Sequence, residues 1–190
     1  MIELINVSKA FGDKTVIENC NLQVKDAETI AVMGKSGIGK TTLLNIIAGF
    51  LKPDSGELRN VPADIAMVFQ ENRLLDDFSA YDNIRLICGA VHKDILAHFA
   101  ELELASHIDK PVRDYSGGMK RRVALMRAML AKSSLILMDE PFKGLDKATK
   151  ERTIAYTKKH IKRKTCIIIT HDMQEAKDLE ADRIIQMEGD

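Results

Sequence analysis

Gly34-Lys35-Ser36-Gly37-Ile38-Gly39-Lys40-Thr41 follows the apolar run Ile30-Ala31-Val32-Met33 and fits the phosphate-loop pattern G-x-x-x-x-G-K-[ST]. The pattern needs a strand before the loop and a helix after it. Both are legible: the apolar run reads as a strand, and Leu43, Leu44, Ile46 and Ile47 fall at helical spacing between Thr42 and Ala48. Glycines at 34, 37 and 39 let the backbone curl so that successive N–H groups face one hollow, and the helix start adds partial positive charge. Such a hollow suits a polyphosphate. Lys40 supplies a cation for the outer phosphates, and the Thr41 hydroxyl stands where it can hold a magnesium ion that bridges them.

Further along, Ile65-Ala66-Met67-Val68-Phe69 ends at Gln70, Leu135-Ile136-Leu137-Met138 ends at Asp139-Glu140-Pro141, and Cys166-Ile167-Ile168-Ile169 ends at Thr170-His171-Asp172. Unbroken apolar runs predict strands buried on both faces, as in a parallel sheet, and an open parallel sheet places its ligand crevice at the carboxyl ends of its strands. Asp139 can bind magnesium through its water shell. Glu140 points differently and can orient or deprotonate a water that attacks the terminal phosphate. Gln70 serves either as a ligand group or as a cap on the sheet edge. His171 repeats the position of Gly34, Gln70 and Asp139 at a strand's end.

Outside these runs, Ile2, Leu4 and Val7 alternate with polar residues, as does the stretch from Val16 to Val24, which predicts short antiparallel strands at an edge. Phe11-Gly12-Asp13 lies between them, with a ring that either stacks on a base or folds onto the core. Gly49 and Pro53-Asp54-Ser55-Gly56 end the helix after the phosphate loop in a turn. From Glu71 to Asp114 the strand signal vanishes. Ser79-Ala80-Tyr81-Asp82 resembles a capping box, and Ile95, Phe99 and Leu102 recur at helical intervals, so this part reads as a helical insertion. Ser116-Gly117-Gly118 then opens an amphipathic helix with Met119, Val123, Met126 and Leu130 on one face and Lys120, Arg121, Arg122 and Arg127 mostly on the others. Its start is either a plain serine cap or a second anion site.

At 190 residues the chain can bury one sizeable core, with a small insertion at most. Lys plus Arg and Asp plus Glu are 28 each, so no net field draws it to nucleic acid or an anionic membrane. Cys20, Cys88 and Cys166 have no metal-ligand spacing and read as buried reduced thiols. The N-terminus has no leader pattern, and no apolar run approaches membrane-spanning length, so direct membrane insertion is not expected.

Taken in order, Phe11, Gly34 to Thr41, Gln70, Tyr115-Ser116-Gly117-Gly118-Met119, Asp139-Glu140, Gly144-Leu145-Asp146 and His171 resemble the motif set of ATP-binding-cassette (ABC) ATPases over nearly the whole chain. The resemblance implies an α/β P-loop NTPase (RecA-like) core with a parallel sheet, an N-terminal antiparallel β edge and an inserted helical subdomain. It implies one ABC nucleotide-binding domain over 1–190, with its core at 1–70 and 116–190 and the helical subdomain at 71–115. ATP and Mg2+ are the implied cofactors. Phe11 would stack on adenine, and Gly34, Lys35, Ser36, Gly37, Ile38, Gly39, Lys40, Thr41 and Thr42 would hold the nucleotide. Thr41, Gln70 and Asp139 would attend the metal, Glu140 would activate water, and His171 would contact the γ-phosphate. Ser116, Gly117, Gly118 and Met119 would act on the ATP of a second subunit, and Asp146 would belong to the D-loop.

The implied partners are a second ABC ATPase subunit, as homodimer or heterodimer, and integral-membrane permease subunits that hold the cytoplasmic chain at the inner face of the membrane. Tyr115 stands where the family usually has leucine, Met119 where many members have glutamine, and Phe11 for the more usual tyrosine. Val68 to Leu75, Met119-Lys120 and Glu140-Pro141-Phe142 look most like importer ATPases for nitrate, sulfonate or taurine. Lipoprotein-releasing and macrolide-type exporter ATPases share parts of the pattern. A soluble relative acting on ribosomes or DNA is the alternative, with neither the internal repeat nor the heptad stretch such relatives carry. A chain that binds ATP without hydrolysing it is disfavoured by the intact Glu140. With the sequence ending at Gly189-Asp190, no added regulatory domain is expected.

Overall fold

The computed structural model describes residues 1–187; Gly189-Asp190 lies outside them. The chain opens with β1 (Ile2–Phe11) and β2 (Lys14–Val24), joined by a tight turn in which Gly12 has φ +57°. Next come β3 (Thr29–Met33), α1 (Lys40–Ile47), β4 (Ser55–Arg59) and β5 (Ile65–Val68). Two helices, α2 (Ala80–Cys88) and α3 (His92–Glu101), precede α4 (Gly117–Leu130). The last third alternates β6 (Leu135–Asp139), α5 (Lys147–Ile161), β7 (Thr165–Ile169), α6 (Met173–Asp178) and β8 (Arg183–Gln186).

These strands form two sheets. One is antiparallel, in the order β2-β1-β4, and the other is parallel, in the order β5-β6-β7-β3-β8. Side chains alternate across a strand, so an unbroken apolar strand must find a core on each face. Here Ile136, Met138, Cys166 and Ile168 face a core shared with Ile84, Phe99, Val123 and Ile154. Leu135, Leu137, Ile167 and Ile169 face the other, built with Leu4, Val24, Leu44 and Ile47. Thus the antiparallel sheet and α1 cover one face, while α2 to α5 cover the other. The helices between β5 and α4 join the main core through Ile84, Ile95 and Phe99. Ser79 caps α2 by accepting from the Asp82 N–H at 3.0 Å.

Two sequence expectations change. The stretch after Pro53 is more than a turn: Ser55–Arg59 is β4, the third strand of the antiparallel sheet, paired through Leu4 and Leu58. Its polar sequence, SGELR, offers little apolar alternation. The run at Ile65 is a strand, but it lies at the sheet edge, so Ile65 and Met67 are only half-buried. The three cysteines are free thiols, with Cys88 and Cys166 buried and Cys20 half-buried.

One polar cluster fastens α3 to α5. His98 Nδ1 lies 2.6 Å from the buried Tyr156 hydroxyl, the His98 and His160 ring centroids are 4.4 Å apart, and His160 Nε2 is 3.1 Å from Glu101. Burial, reinforced by His160, holds His98 down from the usual 6.5 to about 4, against the opposing pull of Glu101 and Asp94. A folded-state value below the unfolded one means that the unfolded chain takes the extra proton. The contact therefore contributes fully above pH 6.5 and is lost as pH falls toward 4. Urea unfolding above pH 6.5 and near pH 4 should show His98→Gln losing less stability between the two conditions than the unchanged chain.

Candidate active site

Because all five strands of the second sheet run the same way, Gly34, Gln70, Asp139 and Thr170 emerge at one edge. The loop from β3 to α1 closes on its own lysine. The nearly buried Lys40 ammonium donates to the carbonyl oxygens of Gly34 and Lys35, each at 2.8 Å. Gly39 has φ +109°, and a Cβ there would meet the Val16 carbonyl oxygen at 2.6 Å, so the loop packs directly on β2. At Gly34 a Cβ would meet the Met187 carbonyl oxygen at 2.7 Å.

The Thr41 hydroxyl donates to Asp139 Oδ2 at 2.7 Å. Asp139, the last residue of β6, is buried. Burial pushes its carboxyl up; the Thr41 bond pulls it back, Glu140 raises it again, and Lys40 and Arg121 lower it. A hydrogen bond to an ionised group is worth roughly 1.5–3 kcal/mol, less than the several kcal/mol that burying a carboxylate costs. Glu140 follows with φ +49°, in the left-handed region that is strained for a residue with a side chain. The two carboxylates accordingly find different partners: Glu140 Oε2 and Oε1 lie 2.7 and 3.0 Å from His171 Nδ1. Since an ionised carboxylate only accepts, Nδ1 carries the proton of that bond.

These groups line one cleft of about 460 Å3, together with Phe11, Val16, Gly34, Ser36, Gly37, Gly39, Lys40, Thr42, Gln70 and Lys143. The Phe11 ring is 52% exposed at the cleft, so it is not folded into the core. Gln70 is exposed and also borders an adjoining cleft of about 540 Å3 with Thr41, Asp139 and Arg121. Lys35 reaches the site through its carbonyl only, and Ile38 lines a neighbouring groove with Gly37. Ser116, Gly117, Gly118, Met119 and Asp146 line neither cleft. Ser116 caps α4 by accepting from the Met119 N–H at 3.2 Å, and Asp146 caps α5 by accepting from the Thr149 N–H at 3.1 Å. The Thr41 hydroxyl, the Gln70 amide oxygen and the Asp139 carboxylate are hard oxygen donors around a buried anion whose described hydrogen-bond partner is neutral. That donor set fits magnesium.

Two residues escaped the sequence expectations. Arg121 was expected on an outer face, but it is buried and donates to the carbonyls of Phe69 and Gln70. Its i+4 and i+7 neighbours, Leu125 and Ala128, are buried too, and that spacing was the available signal. Lys143 borders both clefts from the turn after Glu140, a place that its distance from the end of β6 alone could have flagged.

A phosphate loop, a strand-end carboxylate and an acid–imidazole pair at the carboxyl edge of one parallel sheet define a nucleotide-hydrolysing P-loop protein. The profile of the family described as ABC transporter matches residues 17–143. The bicarbonate transport ATP-binding protein CmpD of Synechocystis sp. is 38% identical, over 96% of this chain and 72% of that protein. An aliphatic sulfonates import ATP-binding protein, SsuB 2 of Pseudomonas syringae pv. syringae, is 40% identical, over 97% of this chain and 68% of its own length. Among solved structures, a dimeric post-hydrolysis state of the ATP-binding cassette MJ0796, bound to ADP and Pi, superposes with a TM-score of 0.84 at 30% identity, over 99% of this chain and 94% of that one. The chain belongs to the ABC transporter family and is an ATPase of that family. Gly39→Ala should displace Val16 and open the phosphate loop. Calorimetric titration with ATP should show binding weakened at least about tenfold, and urea unfolding a loss of about 1–3 kcal/mol.

Proposed function

We propose that this chain powers an importer. Two copies close head to tail around two ATP molecules, and the closure is passed to membrane-embedded permease subunits at the inner face of the cell membrane. The observation that carries this is the division of the anion-binding groups. The phosphate loop, Asp139, Glu140 and His171 share one cleft, while the capped start of α4 at Ser116 lines no part of it and stays exposed. A helix N-terminus with bare glycine amides, left outside the chain's own cleft, suits the nucleotide of a second copy. The importer assignment leans on relatives named as import ATP-binding proteins, and the choice of imported solute is left to other subunits.

Within the cleft, Lys40 exchanges its bonds to the Gly34 and Lys35 carbonyls for the outer phosphates, and the loop amides hold the rest. Phe11 offers a ring face to the base. Thr41, Gln70 and Asp139 would hold magnesium, which when bound neutralises charge on the terminal phosphates. Glu140, held by His171, accepts the proton of the attacking water, and His171 steadies the terminal phosphate. A permease segment is received beside Gln70. There Phe50 is 63% exposed and stacks on Phe69 at 5.8 Å, and Arg73 lies 3.7 Å from the centre of the Phe69 ring. No helix among the described residues is long and apolar enough to cross a membrane.

The test is the solution mass of Glu140→Gln with and without magnesium-ATP, beside phosphate release by the unchanged chain. The expected outcome is a shift from monomer to dimer only with nucleotide, and a loss of at least about 100-fold in turnover on the substitution. A variant that stays monomeric and an unchanged chain that releases no phosphate would together sink the proposal.

A further inference from the structure

The segment that leaves β5 carries Gln70 and belongs to no helix or strand from Phe69 to Arg73. Main-chain carbonyls in such a segment need partners from elsewhere. Here α4 supplies them. Arg121 donates from its two terminal nitrogens to the carbonyls of Phe69 at 2.7 Å and Gln70 at 2.5 Å. Six residues further along the same helix, Arg127 donates to the carbonyls of Arg73 at 2.9 Å and Asn72 at 3.4 Å. Of the five carbonyls from 69 to 73, four therefore end on a guanidinium of one helix.

Simple carbonyl satisfaction would not require an arginine. Arg121 is only 5% exposed; Asp139 and Glu140 favour its charge from nearby, but its hydrogen bonds go to neutral carbonyls, so the charge alone does not account for where the fork points. What the guanidinium adds is a rigid planar fork that sets the direction of two consecutive carbonyls at once, where an ammonium on a flexible stem would leave that direction free. The Gln70 side chain, by contrast, is exposed at the cleft, so its placement is inherited from its main chain. Arg121 also lies five residues into the helix that Ser116 caps, about 7.5 Å along its axis at 1.5 Å per residue.

We propose that Arg121 is a positioning residue for Gln70: its fork ties the Gln70 main chain to α4, so that a group engaging the Ser116 end of the helix sets where Gln70 stands in the nucleotide cleft. This rests on the assignment of Gln70 to that cleft given above. Arg127 anchors the far end of the same segment, so loop and helix move as one piece. Each copy thereby couples the helix start it offers outward to the cleft it keeps for itself.

The test is a double-mutant cycle in the full chain with Arg121→Gln and Gln70→Ala, read by steady-state hydrolysis and by amide hydrogen exchange of the nucleotide-free protein. Arg121→Gln is expected to speed exchange over residues 69–73 before any nucleotide is added, and to lower kcat about tenfold while KM for ATP stays within about twofold. In the Gln70→Ala background the same change should cost less than about twofold more, because both substitutions remove one function. Losses that multiply in the double variant, or exchange over 69–73 equal to that of the unchanged chain, overturn the proposal. If Gln70→Ala alone leaves kcat unchanged, the assignment of Gln70 fails and the proposal falls with it. If Gln70→Ala is impaired and Arg121→Gln is not, the proposal falls alone. Should Arg121→Gln not fold, Arg121→Lys keeps the buried charge without the fork. The same kcat loss and faster exchange are expected, and unchanged values for both overturn the proposal.

Discussion

A carboxylate held in a dry place governs this molecule. Asp139 ends the second strand of the parallel sheet, buried, with a neutral hydroxyl as its described hydrogen-bond partner. An ionised acid in that position is tolerated only where positive charge is close, and the charges of Lys40 and Arg121 both act on it. Lys40 belongs to the phosphate loop and Arg121 to α4. The same requirement therefore draws together the first third of the chain and the helix that follows the insertion. Thr41 and Asp139 are 98 positions apart in sequence, so their bond forms only after β3, β6 and the strand between them are in register.

Much of this was open to inspection in the residues alone, for physical reasons that differ from element to element. A phosphate loop must have small residues at fixed places, because the backbone itself binds, and spacing therefore survives as a pattern. Strands buried on both faces leave unbroken apolar runs, so β3, β6 and β7 were visible, and with them the edge where Asp139, Glu140 and His171 gather. β4 was not visible, since a polar outer strand is held by main-chain pairing with β1 and needs no apolar code. Arg121 was misplaced for a related reason. Charge on a helix reads as solvent-facing until the carbonyls it reaches are known, and those belong to a segment some fifty positions earlier. For Phe11 the residues left two fates open, and only the folded turn shows the ring at the cleft.

The reacting groups are not idle in this conformation. Lys40 occupies itself with two loop carbonyls, Glu140 and His171 hold one another, and Thr41 is committed to Asp139. Each is satisfied by a neighbour that a nucleotide would replace, so arrival of the ligand is an exchange of partners rather than the filling of a void. Exchange of that kind keeps the net gain of binding modest for so highly charged a ligand, and it leaves the loop ordered beforehand.

The contact between Gly39 and the Val16 carbonyl has a consequence beyond the loop. Val16 lies on β2, two residues past the start of the strand, and Phe11 ends β1 on the other side of the same hairpin. Phosphate loop and aromatic ring are thus mounted on a common strut, with hydrogen for a side chain at the point where they touch. In the proposed nucleotide mode this strut works as a caliper: it sets the reach from base to phosphates, and it favours ligands by their span while leaving the face of the base unread.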